Sequence, residues 1–555
     1  IRMNRNTESH FATVPTLNIR RSKFKRPHDH KCTFNVGECI PIFYDGTIMP
    51  GDSVKMRMSE VIRMMTPITP VMDMMYADTY FFFVPYRLVW DHFKQFWGEN
   101  DTAPWTQQNE YKIPKIKAPE AGWKKGSLAD HFGYPTKVGG YEKSALPFRC
   151  YVAVINRWFR DQNLKNPCYL SKGDATIVGT DKTTLGSSYD YVVDTEKGAA
   201  PFIVARSQDM FSTCLPEPQK GPDVTIPLGE TAPVVGGKYY SGDGTTPFTD
   251  TDLEGLRIQL LDSSGNIKVL GHNPLIEASA NESLSTNKGI GLYTDLSLAI
   301  GASINQLRQA YAIQKFYENQ ARGGSRYIEV IKGHFEVQSS DARLQDPEYI
   351  GGKRIPISIN QVVGHDQGVA PSDGLPMGTT GAYSVTTDKN EDLFTFSAEE
   401  HGAIIGLCCV RTEHSFQQGI NRQFSMEDLF DFYTPELANL GEMSVKNDEI
   451  FLDGTDADNE VWGYQEAWYW YRYMPNEICG ELRSNYDESL DIWHWGDYYE
   501  ERPTLGSEWI DEPKENVART LAIQNHDQFF ADFYFEPIYT RPMPLYSVPG
   551  LTGHY

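Results

Sequence analysis

The sequence predicts a mainly β fold with isolated helices, and three observations carry that reading. Apolar residues recur with period two early, in the middle and late in the chain, Gly and Pro dipeptides separate these runs, and helical spacing appears only in scattered segments. Regular alternation of strands with helices, the mark of a parallel α/β sheet, is missing. At 555 residues the chain exceeds the roughly 250–300 at which one core stops growing. It therefore holds three to four domains, or one core with long insertions.

The first strands are read from Phe34, Val36, Ile40 and Ile42, and from Val54, Met56 and Met58 alternating with Lys55, Arg57 and Ser59. Between them Asp45-Gly46 and Pro50-Gly51-Asp52 supply turns, because glycine tolerates positive φ and proline presets the corner. Tyr80 to Val84, closed by Pro85, is apolar without alternation and predicts a strand buried on both faces. Seven methionines between Met56 and Met75 read as adaptable core filler. Helices are expected over Arg87–Glu99, over Phe148–Phe159, from Ser303 to Ala321 with Gly323-Gly324 as its stop, and over Ser425–Phe432 behind a Ser-x-x-Asp cap. Strand character returns in Ile328–Val337, Ala403–Val410, Val461–Tyr473 and Phe529–Tyr539. Residues 221–294 carry 11 of the 46 glycines, nine acids and four bases with little periodicity, which predicts a turn-rich insertion with a short hairpin around Ser263-Ser264-Gly265-Asn266. A second, smaller insertion is expected over Gly364–Glu391.

Hydrophobic residues at 40% and charged residues at 23% exclude wholesale disorder. The longest apolar run, Ala403–Val410, is far short of the roughly 18 residues a membrane helix needs; no membrane insertion is expected, and the first residues given carry no secretory pattern. Eight cysteines without a C-x-x-C pair read as buried thiols in a reducing compartment. The net charge is −23, yet residues 1–31 hold eight Lys and Arg against Glu8 and Asp29, a local +6. Such an arm is either a solvated tail or a segment that meets phosphates and releases counterions. Aromatics make up 13% of the chain, which suits large buried interfaces or stacking platforms.

No catalytic constellation emerges. Gly237-Lys238 lacks the flanking residues of a P-loop, and Gly289-Ile290-Gly291 lacks the third glycine of a dinucleotide turn. Asp453, Asp456, Asp458 and Glu460 lack the glycine and distal Glu of a calcium loop, and His28-Asp29-His30 lacks further ligands, so no metal and no cofactor are expected. Asp487, Glu488, Asp491 and Asp497 among Trp493, Trp495, Tyr498 and Tyr499 suit either a sugar site or an aromatic subunit contact with a polar rim.

Several long segments, in order along the chain, resemble the major capsid protein of the gokushoviruses, small single-stranded DNA phages of the Microviridae. The most specific are Thr66-Pro67-Ile68-Thr69-Pro70-Val71-Met72-Asp73, Phe81-Phe82-Phe83-Val84-Pro85-Tyr86-Arg87-Leu88-Val89-Trp90, Ala321-Arg322-Gly323-Gly324-Ser325-Arg326-Tyr327 and Asp341-Ala342-Arg343-Leu344-Gln345. The resemblance implies an eight-stranded antiparallel jelly-roll barrel with long loop insertions, assembling into a T=1 icosahedral capsid that encloses the genome and contributes to host attachment. On this reading residues 1–31 form a basic N-terminal arm and 32–220 the first part of the barrel. Residues 221–294 form a variable surface protrusion at the three-fold axis, and 295–555 the remainder with the C-terminal segment. Arg20, Arg21, Lys23, Lys25 and Arg26 would contact single-stranded DNA through phosphates, with Phe24 stacking on bases. Tyr239, Tyr240, Asp243, Asp262 and Asn266 of the insertion would face a host bacterial surface receptor. The partners implied are further copies of the chain, the genome, an internal scaffolding protein, a minor pilot protein and a small basic DNA-binding protein. Assembly would take place in the bacterial host cytoplasm and yield a virion component. Two other readings stay open at this point: a jelly-roll carbohydrate-binding module, and a glycoside hydrolase using Asp487 and Asp491.

Overall fold

The computed structural model describes residues 20–99, 111–182, 189–222, 224, 234–236, 292–294, 304–323, 326–338, 340–363 and 380–546. The chain divides into two compact units, Gly221–Tyr317 and all the rest. In the first of these the described backbone includes Val234–Gly236 paired antiparallel with Leu292–Thr294.

The larger unit is built on two antiparallel sheets. One contains β1 (Ser22–Lys25), β2 (His28–Phe34), β4 (Ser53–Met64), β8 (Thr386–Ser397), β10 (Phe529–Phe535) and β11 (Ile538–Arg541). Strands β10 and β11 run end to end between β4 on one side and β2 and β1 on the other, while β8 pairs with the free edge of β4. The second sheet has the order β7 (Glu348–Pro356), β5 (Met75–Pro85), β9 (Gly402–Thr412), β3 (Glu38–Ile48), β6 (Phe202–Ile203).

Side-chain alternation explains how the sheets meet. In β4 every second residue from Val54 to Met64 is buried while the intervening ones reach solvent, and the buried set joins Phe34, Ile40, Ile42, Phe81, Phe83, Ile404, Val410, Phe529, Phe533 and Phe535 in one core between the sheets. Glu60 falls on the buried face of β4 and is answered by Lys353 at 2.6 Å. The unbroken apolar runs of β5 and β9 have a different cause. Phe82, Val84, Ala403, Ile405, Leu407 and Cys409 face away from the first core into a second, so both surfaces of this sheet are covered. Gly406 is required there, because a Cβ would lie 2.7 Å from the Phe81 ring and 2.9 Å from Phe43.

The second core is closed by α1 (Leu146–Val154), continued as one π turn over Ile155–Phe159, with Trp90, Trp123, Phe148 and Tyr151 fully buried. The Tyr151 hydroxyl donates to the Cys39 carbonyl at 2.7 Å and accepts from the Phe202 amide at 3.0 Å, which ties α1 to the sheet edge. A third cluster gathers Met210, Phe211, Phe416, Trp462, Trp509 and Ile510. The helix expected from Ser303 is present as α2 (Ile304–Gly323). Among the clustered methionines Met56, Met58, Met64 and Met75 are buried, whereas Met72 and Met74 are exposed.

Several expectations are corrected. Ile328–Val337 is no strand but lies largely in α3 (Tyr327–Phe335). Glu329 accepts from the Arg326 amide at 3.0 Å and pairs with its guanidinium at 3.1 Å, and this cap outweighs the β character of Ile328, Val330 and Ile331. Arg87–Glu99 yields two single turns, Tyr86–Val89 and Phe93–Phe96, because Trp90 between them is extended and its indole donates to Asp174. Ser425–Phe432 holds only a 3₁₀ turn, Leu429–Asp431, since Asp431 accepts from the amides of Glu427 and Asp428 and tightens the chain there. The strand from Val461 stops at Glu466, and Trp468 turns the chain with φ of 65°. Of the insertion expected over Gly364–Glu391, residues 380–384 and 386–391 are strand: Thr380–Ser384 pairs with Ile359–Val363, and β8 begins at Thr386. The basic arm is strand from Ser22 onward.

Candidate nucleic-acid interface

The same alternation that fills the core exposes the opposite face of the first sheet, and that face is rich in cations. Lys23 and Lys25 on β1, Lys31 on β2, Lys55, Arg57 and Arg63 on β4, and Lys389 on β8 point there, together with Phe530 and Tyr534 of β10. Phe530 and Tyr534 remain 39% and 42% exposed, unusual for rings in the centre of a sheet. Acids share the surface, among them Asp527, which accepts from the Thr33 hydroxyl. Asp29 and Asp532 pair with Lys31, while Asp392 lies 2.7 Å from Lys55 and 3.5 Å from Arg57; Glu536 is exposed at the end of β10. Lys23, Lys25 and Arg63 have no carboxylate within ion-pair reach among the described residues. The face is thus locally positive on a strongly acidic chain. Exposed ion pairs of this kind contribute at most about 1 kcal/mol each, so these cations are held loosely and can exchange partners.

The structure separates the six N-terminal residues singled out in the sequence. Arg20, Lys23 and Lys25 are exposed. Arg21 donates to the Gly51 and Thr540 carbonyls and to the Ser53 hydroxyl, fixing the β3–β4 turn. Arg26 pairs with buried Asp45 at 2.9 Å and lies over the Tyr539 ring. Burial pushes Asp45 up, but hydrogen bonds from Thr47 and Tyr539 and the Arg26 charge outweigh it and hold the carboxyl below its usual range. Phe24 is half-buried and packs against the first core, so its ring is not the open stacking surface expected of it. Phe530 and Tyr534 are the rings exposed on that face; sequence reading placed them in a strand, but the signal for exposure was only their alternation with Phe529, Ala531, Phe533 and Phe535. Tyr239, Tyr240, Asp243, Asp262 and Asn266 lie outside the described residues, as does the hairpin expected around Ser263-Ser264-Gly265-Asn266.

The suspected carboxylates are dispersed. Asp487 and Glu488 line a surface pocket with Arg483 and Tyr486. Asp497 is buried: Arg206 donates to it, Asn516 does so at 2.6 Å, and His414 lies 3.4 Å away. On the far side of His414, Glu512 stands at 3.2 Å and accepts from the Thr412 amide at 2.8 Å. This is a closed ion network whose members satisfy one another. Arg502 bridges Asp453 and Asp458 at 2.8 and 2.6 Å, answering the charge of that acidic turn. His28 turns its Nδ1 to the Arg26 carbonyl while Asp29 pairs with Lys31, so that triplet diverges. Of the eight cysteines, Cys479 alone is exposed, and no two are bonded.

Residues 12–551 match the family described as capsid protein (F protein). The chain belongs to that family. It is similar to the capsid protein VP1 of Spiroplasma virus 4, 41% identical over 98% of this chain and 97% of the relative. It is 37% identical to the capsid protein VP1 of Bdellovibrio phage phiMH2K over 99% of both, and 35% identical to that of Chlamydia phage 1 over 98% of both. This capsid protein is therefore a structural component of the virion of a small single-stranded DNA phage of the Microviridae type, and its family is not one of enzymes. No helix among the described residues is long and apolar enough to cross a membrane.

Proposed function

We propose that the chain is the shell-forming subunit of a T=1 icosahedral particle, built on an eight-stranded jelly roll and closed around single-stranded DNA. The observation that carries the reading is the strand order. With β1–β2 and β10–β11 each counted as one broken strand and the two-residue β6 left aside, consecutive strands alternate between the sheets except for β5 and β7, which pair within one sheet, giving β2, β10, β4, β8 in one and β3, β9, β5, β7 in the other. That order supports a jelly-roll wrapping. Closed assembly also requires every copy to bury several distinct patches, and Phe424, Leu429, Phe430 and Phe432 stand more than half exposed in one turn-rich segment.

The locally positive face of the first sheet suits the inner surface, where phosphates lie, and the acidic remainder suits the outside, where like charge keeps particles apart. Residues 221–294 then project outward at the three-fold axis toward a host surface receptor. A scaffolding protein, a pilot protein and a small basic DNA-binding protein complete the particle, which assembles in the host cytoplasm. Electron microscopy and sedimentation of the purified chain with its scaffold test the shell: uniform small particles are expected, and persistent monomers would overturn it. Lys23→Ala with Lys25→Ala tests the DNA contact without disturbing the structural roles of Arg21 and Arg26; normal genome packaging would refute a role for this strand.

A further inference from the structure

On β9, Arg411 lies two residues beyond Cys409 and so shares the face that turns away from the first core. It stands opposite Tyr76 of β5, and Asp78 of β5 and Arg354 of β7 lie on the same face. The Arg411 side chain is 19% exposed, which leaves a cation largely out of water. Among the described residues its nearest carboxylate is Asp78, at 3.9 Å, and Asp78 is already held by Nε and Nη2 of Arg354 at 2.6 and 2.9 Å. The Nε of Arg411 has no hydrogen-bond partner there, and the neighbour in hydrogen-bonding reach is the Cys409 thiol, a weak acceptor.

Several other enclosed guanidiniums are answered. Arg206 has Asp497, and Arg541 has Asp52 at 3.0 Å. Arg160 and Arg519 have no carboxylate in ion-pair reach among the described residues, but donate to the Lys165 and Gly496 carbonyls, each at 2.7 Å. Arg411 has neither kind of partner, and a buried charge left so is strongly unfavourable.

Arg411 lines a cavity of about 610 Å³, walled also by the end of the π turn after α1, by residues 205–209 and by Arg326. Four acids share the lining, each engaged. Asp161 accepts from the Asn163 and Leu164 amides at 2.8 Å, and Asp209 from the Phe211 and Ser212 amides at 3.0 and 2.7 Å. Glu329 pairs with Arg326 at 3.1 Å, and Glu413 accepts from the Tyr76 hydroxyl. A phosphate dianion would bring two further charges among these four acids. A single carboxylate matches one unanswered cation and its flat donor fork.

We propose that this cavity receives an acidic side chain from a second copy of the chain, whose carboxylate closes on the Arg411 guanidinium between neighbouring subunits. With 74 acids against 51 bases, the surface that a neighbour presents is richer in carboxylates than in cations, and closed assembly obliges each copy to bury several patches. The inference rests on the shell reading and adds to it one specific contact.

Arg411→Met keeps the apolar stem and removes the charge. With the partner carboxylate on another copy, the unassembled variant loses no ion pair, since Asp78 keeps Arg354; its urea midpoint should equal or exceed the parent's. Particle formation with scaffold should need at least threefold more protein. A lowered midpoint would place the partner within the chain and overturn the inference, as would normal assembly. A second arm locates the carboxylate. Arg411→Lys particles, assembled from mixed nitrogen-15-labelled and unlabelled chains, are treated with a water-soluble carbodiimide, which joins an amine to a carboxylate without a spacer. Mass spectrometry should find the introduced amine joined to an acidic peptide of the opposite isotope; links only within a chain, or none, would overturn the contact. If millimolar phosphate raises the urea midpoint of the parent but not of Arg411→Met, and no mixed-isotope link forms, the cavity takes a free anion and the inter-copy pair is refuted. A parent chain that forms no particles with its scaffold would fail the shell reading itself, and the urea arm would still decide whether Arg411 has its partner within the chain.

Discussion

Removing the charge of Asp497 is the perturbation whose outcome the structure fixes most closely. Its carboxylate is 2% exposed and receives Arg206, Asn516 and the Tyr499 hydroxyl, with His414 at 3.4 Å. Burial pushes Asp497 up, but the charges of Arg206 and His414 outweigh it and hold it far below the ordinary carboxylate range. Burial likewise lowers His414, and Asp497 and Glu512 outweigh that and raise it to about 10. In Asp497→Asn the guanidinium of Arg206 stays buried against the Trp509 ring at 4.6 Å, still bonded to the Trp509 carbonyl, with its directly bonded carboxylate gone and only the charges of Glu512 and Asp511 left to answer it. Breaking a buried pair from one side costs about 3–5 kcal/mol, and His414 keeps Glu512, which favours the lower end. Urea unfolding of the unassembled chain, followed by tryptophan fluorescence and circular dichroism, measures the loss. Asp487→Asn, an exposed carboxylate, is the control and should stay within about 0.5 kcal/mol of the parent. The pH dependence follows from the signs. The part of stability owed to His414 is complete below its unfolded value of about 6.5 and is lost as pH rises through about 10. The part owed to Asp497 is complete above about 4 and is lost in acid as pH falls toward its depressed folded value. Asp497→Asn should flatten both limbs. A variant within about 1 kcal/mol of the parent, with an unchanged alkaline limb, would refute the claim that this network is closed and mutually dependent.

Other outcomes follow from the same geometry. Phe81→Ala empties the centre of the core between the sheets, where Phe81 is fully buried, and should cost about 3–5 kcal/mol in the same unfolding assay. Gly419→Ala places a Cβ well inside contact with the Glu449 carbonyl oxygen, a clash with rigid backbone that should cost about 1–3 kcal/mol or more. Burial raises Glu449 to about 7; the unfolded group ionises near 4.3, so stability should fall as pH rises between these values, and Glu449→Gln should remove that fall. A colour reagent for thiols should find one fast cysteine in the native unassembled chain, Cys479, because burial pushes Cys32 up to about 12, Cys39 and Cys408 well above the ordinary thiol range, and encloses the rest.

What the sequence settled by itself was the class of structure and the family. Period two in Val54–Met64 and the unbroken run Tyr80–Val84 suffice for strands, because alternation records which faces are buried whatever the partner strand is. Helical spacing over Phe148–Phe159 was equally legible, as α1 and its π turn bear out. Short apolar runs were ambiguous: Ile328, Val330 and Ile331 fit a strand until Glu329 caps a helix. Function came from ordered motif resemblance, since the sequence presents no recognised catalytic motif. Tertiary structure alone decided the site. Arg21, Phe24 and Arg26 look like free members of a basic arm, yet pairing of β1 with β11 spends them on Gly51, the core and Asp45. Phe530 lies some five hundred residues from Lys23 in sequence, and only the pairing of β10 with β4 sets it beside Arg63. His30 and His131 come to one cleft from a strand and a single helical turn a hundred residues apart. Local pattern fixes what a residue does within its own strand or turn, but which distant surface it shares is set by the pairing of strands far apart in the chain, and periodicity carries no record of that.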